Sequence, residues 1–531
     1  MGKRKDASIY RRCPRCGKQT MRKGARTVSG KRRWRCQVGA GDRLICYQTT
    51  DPTAPYRGHD RPKNADIKEE FDQDVGEKKR LVLTWAQNAT PIHVGFLRAL
   101  QQYCTVNDAT LLVIPGRYKN PTSRWEASQV NAQWWAPEIV AYLVNQRKKL
   151  NKNLMLLADI HVQPTAVTPL SGFETITHGE SGILGHPKLQ FRAVPTPQNK
   201  TAKILTTTGA VTIQNYSDTR AGKKGEFHHV LGAAVIELED TGAFHLRQIN
   251  ARKDGAFCEL DKAYYPDGKV RPAGPYPALV FGDTHWRFVD AGVVRATFKK
   301  GGLVDRLNPS TLVWHDLLDS YAVNVHHPGH PFIAVAKRKS KVDNMAEEVE
   351  ETVKWMLARS EGREAVIVPS NHDNMLYRWL ERTDWRDDPE NAAFYLETAQ
   401  HLVNQSRVGD QGFETEDPFH YWIKKIQKRG VVTFPRNGSL TIKGIECALH
   451  GHQGPHGARG TLKNLSRIGA KVISGHSHSP GIEAGHYKTG TMTPLALEYT
   501  GPVGGWLNTH CSIDPMGKRH LHTCVDEKFW S

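Results

Sequence analysis

Five short apolar runs in the second half of the chain each end in residues that can hold a cation. ALVF leads into Gly-Asp283-Thr-His285, TLVW into His315-Asp316-Leu-Leu-Asp319, and EAVIV into Pro-Ser370-Asn371-His372-Asp373. IECAL leads into His450-Gly-His452, and KVI into Ser-Gly-His476-Ser-His478. Polar residues just after buried-type strands lie where open α/β sheets build their sites. Together these ends supply carboxylates, an asparagine and several histidines, a mixed oxygen and nitrogen set that suits a pair of divalent transition ions better than magnesium or calcium. Two such ions about 3.5–4 Å apart polarise a phosphoryl group, lower the pKa of a bound water and hold attacking and leaving oxygens in line. The predicted chemistry is therefore phosphoester hydrolysis, with a carboxylate such as Asp316 able to bridge the ions. His450 is preferred to His452 because it follows its strand directly and precedes glycine.

The elements that must position these residues are partly legible. NMAEEVEETVKWMLARSEG repeats its apolar residues at helical spacing between the second and third runs. Upstream, RLVLTWAQ, FLRALQQY and TLLVI give a strand, a helix and a strand, a βαβ signal. A second helix is expected at AQWWAPEIVAYLVNQRKK, a strand at NLMLLADI, and β-rich sheet from AKILTTTGAVTI and HHVLGAAVIELEDTGAFHLRQIN. Residues 80–275 thus read as a mixed α/β domain of unknown role. Within it Asp159, His161, His178 and His186 offer a second cluster, but no Asn-His or bridging-Asp element accompanies them. The basic stretch RAGKKGEFHH, with Lys223 and Lys224, reads as a solvated turn.

Length implies about two to four domains, and 39% apolar with 24% charged residues is ordinary for a globular protein, not for a disordered one. The net charge of +19 is concentrated: residues 1–63 carry 18 Lys and Arg against 4 Asp, a net +14, which leaves +5 for the rest. That is the footprint of a polyanion partner, with DNA the leading candidate and Arg11, Arg12, Arg15, Lys31, Arg32, Arg33 and Arg35 the candidate contacts. Four of the nine cysteines lie in the same segment. Cys13, Cys16, Cys36 and Cys46 suit one tetrahedral zinc, although the second pair is spaced more widely than a usual knuckle. Residues 1–50 are expected to be a basic zinc-ribbon DNA-binding arm, and the Pro-, Asp- and Lys-rich residues 51–79 a linker. With no apolar run of about 18 residues to span a bilayer, a cytoplasmic location is expected, that of the host cell if the protein is phage-encoded.

D-x-H, D-x-x-D, N-H-D, H-G and G-H-x-H, in that order and each after a strand, resemble the calcineurin-like metallophosphoesterase superfamily over about residues 276–500. The resemblance implies an α/β fold in which a β-sandwich flanked by helices (276–531) follows the mixed α/β domain and the ribbon. It implies that Asp283, His285 and His478 bind a first ion, Asp316 bridges, and Asn371, His450 and His476 complete a second site, with manganese the ion expected in both. His372 would assist catalysis, with Asp373 or Asp319 orienting imidazoles. His315 and Ser370 depart from the pattern, each standing where glycine is usual. Ser320-Tyr321 after Asp319 replaces the Arg-Gly of protein phosphatases, and D-L-L-D with N-H-D is closer to the double-strand-break-repair exonuclease branch. AQNATPIH, VIPGRYKNPTS and GPVGGWLNTHCSIDPMGKRHLHT resemble a phage-encoded metallophosphoesterase family related to a pre-early DNA-transfer nuclease. The function expected is a metal-dependent DNA nuclease. A DNA-binding assembly protein with a vestigial metal centre, or a small-molecule phosphodiesterase, are the alternatives. A homo-oligomer, and a protein partner for residues 80–275, stay open.

Overall fold

The computed structural model describes residues 78–531 apart from 131–132, 199, 411, 428–431, 436–437 and 498–499, together with the backbone of three short strands, Met21–Arg26, Arg32–Gln37 and Ile45–Thr49. The three strands pair antiparallel in sequence order, which puts Arg32, Arg33, Arg35 and Cys36 on the central strand and Cys46 on the third. Cys13, Cys16, Arg11, Arg12, Arg15 and Lys31 lie outside the described residues.

Strand Arg80–Gln87, helix Val94–Val106 and strand Ala109–Gly116 form the expected βαβ unit, the two strands being parallel. The helix starts where His93 Nδ1 accepts the Phe96 N–H, and buries Phe96, Leu97, Leu100 and Tyr103 at three- and four-residue spacing. The hairpin Gly232–Leu238 and Phe244–Asn250 completes a four-stranded sheet. The helix expected over 132–149 is instead a 3-10 turn, Pro137–Tyr142, followed by the strand Arg147–Asn151. Its apolar spacing serves a different contact, since Val144 donates its N–H to Val113 O and Ile139 and Leu143 fill the core beside the Ala109–Gly116 strand. The basic stretch around Lys223 is a helix, Arg220–His228, because Thr219 caps it through the Gly222 N–H.

Two sheets build the second half. The first runs in the order Val432–Thr433, Glu364–Ile367, Thr311–Trp314, Ala278–Val280, Thr509–Ile513, Arg519–Thr523, its first four strands parallel. Strict alternation decides its two faces. Ala278, Val280, Val313 and Val366 point into a core shared with Ile473, Ile482 and Tyr487, while Leu279, Leu312, Trp314 and Ile367 pack beneath Val349, Val353 and Met356 of helix Met345–Arg359. The second sheet has ten strands and joins Lys471–Ser474, Gly481–Glu483 and His486–Lys488 to Phe191–Val194 and Lys203–Thr207. One sheet therefore runs across the division expected at residue 275. The protein is mixed α/β, and among the described residues no helix is long and apolar enough to cross a membrane.

Candidate metal centre

Asp283, Asp316 and Asn371 follow three neighbouring parallel strands of the first sheet, whereas His450, His476 and His478 follow two paired strands of the second. The facing sheets bring these ends together. The turns are tight: His285, Asp316, His476 and His478 all have φ between 43° and 76°, in the left-handed region where non-glycine residues are uncommon.

Asp283, His285, Asp316 and His478 are all buried, and each offers a ligand atom within 4.8 Å of the others. His478 Nε2 lies 3.2 Å from Asp283 Oδ2 and 3.0 Å from His285 Nε2. His285 Nδ1 is held by Asp319 Oδ1 at 2.8 Å. Its proton therefore sits on Nδ1, and Nε2 presents a lone pair to the cluster. His450 Nε2 lies 3.2 Å from Asp316 Oδ2 and 3.1 Å from Asn371 Oδ1. His476 stands further out, its ring centroid 5.2 Å from that of His450. Both Asp283 carboxylate oxygens and Asp316 Oδ1 are buried and accept no hydrogen bond. Anionic oxygens without donors are costly in an interior. A cation among them answers that charge, so this donor set fits a divalent metal; the group could hold one.

Asp319, not Asp373, touches imidazoles. Its Oδ1 also reaches His372 Nδ1 at 3.2 Å. Asp373 instead accepts from Ser370 Oγ at 2.8 Å and Leu318 N at 3.3 Å, which ties the two site loops together. Burial, then the charge of Asp316, pushes the Asp373 carboxyl up to about 8. His372 moves the other way from what its burial favours: the carboxylates of Asp316 and Asp319 raise it to about 10. Those same fields act on Asp316, whose burial is outweighed by the imidazoles of His450 and His372, holding it well below the carboxylate range.

The two departures from glycine are filled, not empty. Ser370 Oγ also accepts the Asp373 N–H, at the start of helix Asp373–Arg382. His315 is wholly buried and stacks beside His450 with Nδ1 atoms 3.4 Å apart; burial, then His450, lowers it to about 4, so it is neutral. Gly475 leaves no space at all: a Cβ there would lie 2.1 Å from Asp283 Oδ1. Three contributors were not singled out in the sequence. Glu348 accepts the N–H groups of Tyr321 and Ala322 and braces the loop after Asp319. Trp506 packs edge-on to His478 with centroids 4.2 Å apart, and Arg459 joins Asp316, Asn371, His372 and His478 around a cleft of about 230 Å³. Arg459 comes from a loop with no strand-end signal, so local pattern could not have found it. The alternative cluster does not assemble: Asp159 pairs with Arg147, and His186 is bonded to the backbone of Gln163 and Lys188.

Fold and centre define a mixed α/β protein with a buried Asp/His group suited to a divalent cation. The chain belongs to the same family as Protein A1 of Escherichia phage T5, to which it is 30% identical over 475 residues, 86% of this chain and 84% of that protein. No protein-family model and no solved structure matches it.

Proposed function

We propose that this protein is a divalent-metal-dependent deoxyribonuclease of the dinuclear metallophosphoesterase type, acting in phage DNA transfer or host-DNA degradation. The observation that carries the reading is the pair of buried carboxylates, Asp283 and Asp316, with oxygens that accept no hydrogen bond, ringed by imidazoles beneath an open cleft. Asp283, His285 and His478 would hold one ion, Asn371, His450 and His476 the other, with Asp316 between them. Bound there, the ions would supply Lewis acidity and an activated water.

The protein's own groups have separate tasks. Asp319 fixes the His285 tautomer through Nδ1 and, by the same oxygen, orients His372. With Nδ1 of His372 so occupied, its Nε2 is left to face the cleft and to hand a proton to the leaving oxygen. Arg459, on the cleft rim, offers a guanidinium fork to phosphate oxygens. The cysteine-bearing segment is proposed to bind one zinc ion, and the basic arm to tether DNA without sequence readout, an affinity that falls with salt.

The test incubates purified protein with linear, circular and single-stranded DNA, in manganese, magnesium or chelator, beside Asp316→Asn and His372→Ala. Metal-dependent cleavage by the wild type, lost in both variants, is expected. Retardation of DNA on a gel with no cleavage in manganese overturns the nuclease reading. Hydrolysis of a chromogenic phosphodiester without DNA cleavage would move the assignment to a small-molecule phosphodiesterase.

A further inference from the structure

A second cleft, of about 250 Å³, opens beside the first, and Arg459, His476 and Ser477 line both. Its far wall is a product of strand register. Phe191–Val194 pairs with Gly481–Glu483, which pairs in turn with His486–Lys488, and one row across the three strands reads Arg192, Gly481, Lys488. Directly opposed residues share a face of the sheet, so the two cations stand on one side, two strand spacings or about 10 Å apart. Between them lies a glycine.

Lys488 is only 4% exposed, and its ammonium donates to Gly460 O at 3.2 Å. Arg192 is paired with Glu174. Among the described residues neither Lys488 nor Arg459 forms an ion pair. The one carboxylate among the described residues whose charge favours this buried ammonium is Asp283, which belongs to the metal centre, while burial and Arg459 oppose it. A buried ammonium with no carboxylate of its own is costly, and its position in a cleft that shares its lining with the metal centre points to an anion that arrives with the substrate.

We propose that this second cleft binds the phosphate adjacent to the one hydrolysed, so that the substrate is a polynucleotide strand lying from the Asp283–Asp316 centre across Arg459 to Lys488. The proposal rests on the phosphodiesterase reading of that centre and deepens it: a lone phosphodiester fills the first cleft, a strand fills both. Residues 80–275 then contribute to substrate binding directly, through Arg192.

The experiment compares full-length wild type, Lys488→Gln and Arg459→Gln in manganese, on a single-stranded oligonucleotide and on bis(p-nitrophenyl) phosphate. Lys488→Gln is expected to lose about tenfold more kcat/KM on the oligonucleotide than on the small diester, the worth of one charge-assisted contact. Arg459→Gln, which borders both clefts, is expected to lose on both substrates and more on the oligonucleotide. Because Lys488 is buried, Arg459→Gln, on an exposed side chain, is the variant whose folding is least at risk. Equal losses on the two substrates, or none on the oligonucleotide, overturn the subsite. Binding of a labelled oligonucleotide in chelator gives a readout independent of catalysis. There the slope of log affinity against log salt should fall by about 0.7 for each cation removed; an unchanged slope overturns the subsite. If wild type hydrolyses neither substrate, the phosphodiesterase reading fails, while the binding measurement still decides the cleft.

Discussion

Gly475→Ala isolates the geometry of the centre in a single methyl group. The new Cβ would fall 2.1 Å from Asp283 Oδ1 and 3.5 Å from His315 Cβ. The backbone at Gly475 is not left-handed, so the conflict is one of space alone. To restore an ordinary contact of 3.4 Å the carboxylate must retreat by about 1.3 Å, far more than the ~0.2 Å a metal–ligand distance tolerates. Disturbing even an outer partner of a metal site costs about 10–100-fold in affinity, so a displaced ligand should cost about a hundredfold. Asp283 has little room to retreat, being wholly buried with His478 3.2 Å away. The assay is thermal or denaturant unfolding with and without manganese. At a concentration 100 times the wild-type Kd, the ion should stabilise the wild type by about 2.7 kcal/mol, and a hundredfold weaker site by about 0.4 kcal/mol. Overpacking should lower the metal-free stability by about 1–3 kcal/mol. Gly179→Ala, where a Cβ meets nothing within 4 Å, is the control and should match wild type in both respects. If Gly475→Ala keeps the full metal-dependent stabilisation, Asp283 is not a ligand and the centre has been assigned wrongly.

Two further outcomes follow from the same contacts. Asp319→Asn removes the anionic acceptor shared by His285 and His372, and manganese affinity measured by calorimetry should fall about 10–100-fold; unchanged affinity would leave Asp319 without a positioning role. His510 is wholly buried, accepts the Gly282 N–H on Nδ1, and burial lowers it to about 3. Its folded form stays neutral while the unfolded chain takes up a proton below about pH 6.5, so stability is lost as pH falls from there towards 3, by about 1.4 kcal/mol per pH unit. His510→Gln should therefore lose about 2 kcal/mol less than wild type between pH 6.5 and 5 in urea unfolding; parallel pH profiles would show that His510 is not the group titrating.

Much of the centre was visible along the chain because each donor follows its own apolar run. Asp283, Asp316 and Asn371 needed only strand-end spacing to be found, and the alternation of Leu279 with Val280 or Leu312 with Val313 already implied a sheet covered on both faces. The run over 132–149 misled because apolar residues at Ile139, Leu143 and Val144 fit a helix as well as they fit a turn and strand edge. The sharing of Asp319 by two imidazoles was not visible, nor was Arg459 at the rim.

What the sequence by itself determined is chemical: which donors exist, that they stand at strand ends, and that positive charge is concentrated in the first 63 residues. Only the tertiary structure decided which of them meet. The pairing of Phe191–Val194 with Gly481–Glu483 places Arg192 in a row with Lys488 and makes one sheet of segments that the linear pattern separates. The physical reason is register. A side chain's chemistry is local, but its neighbours across a sheet depend on how distant strands align, and a shift of one residue would turn every side chain of a strand to the opposite face.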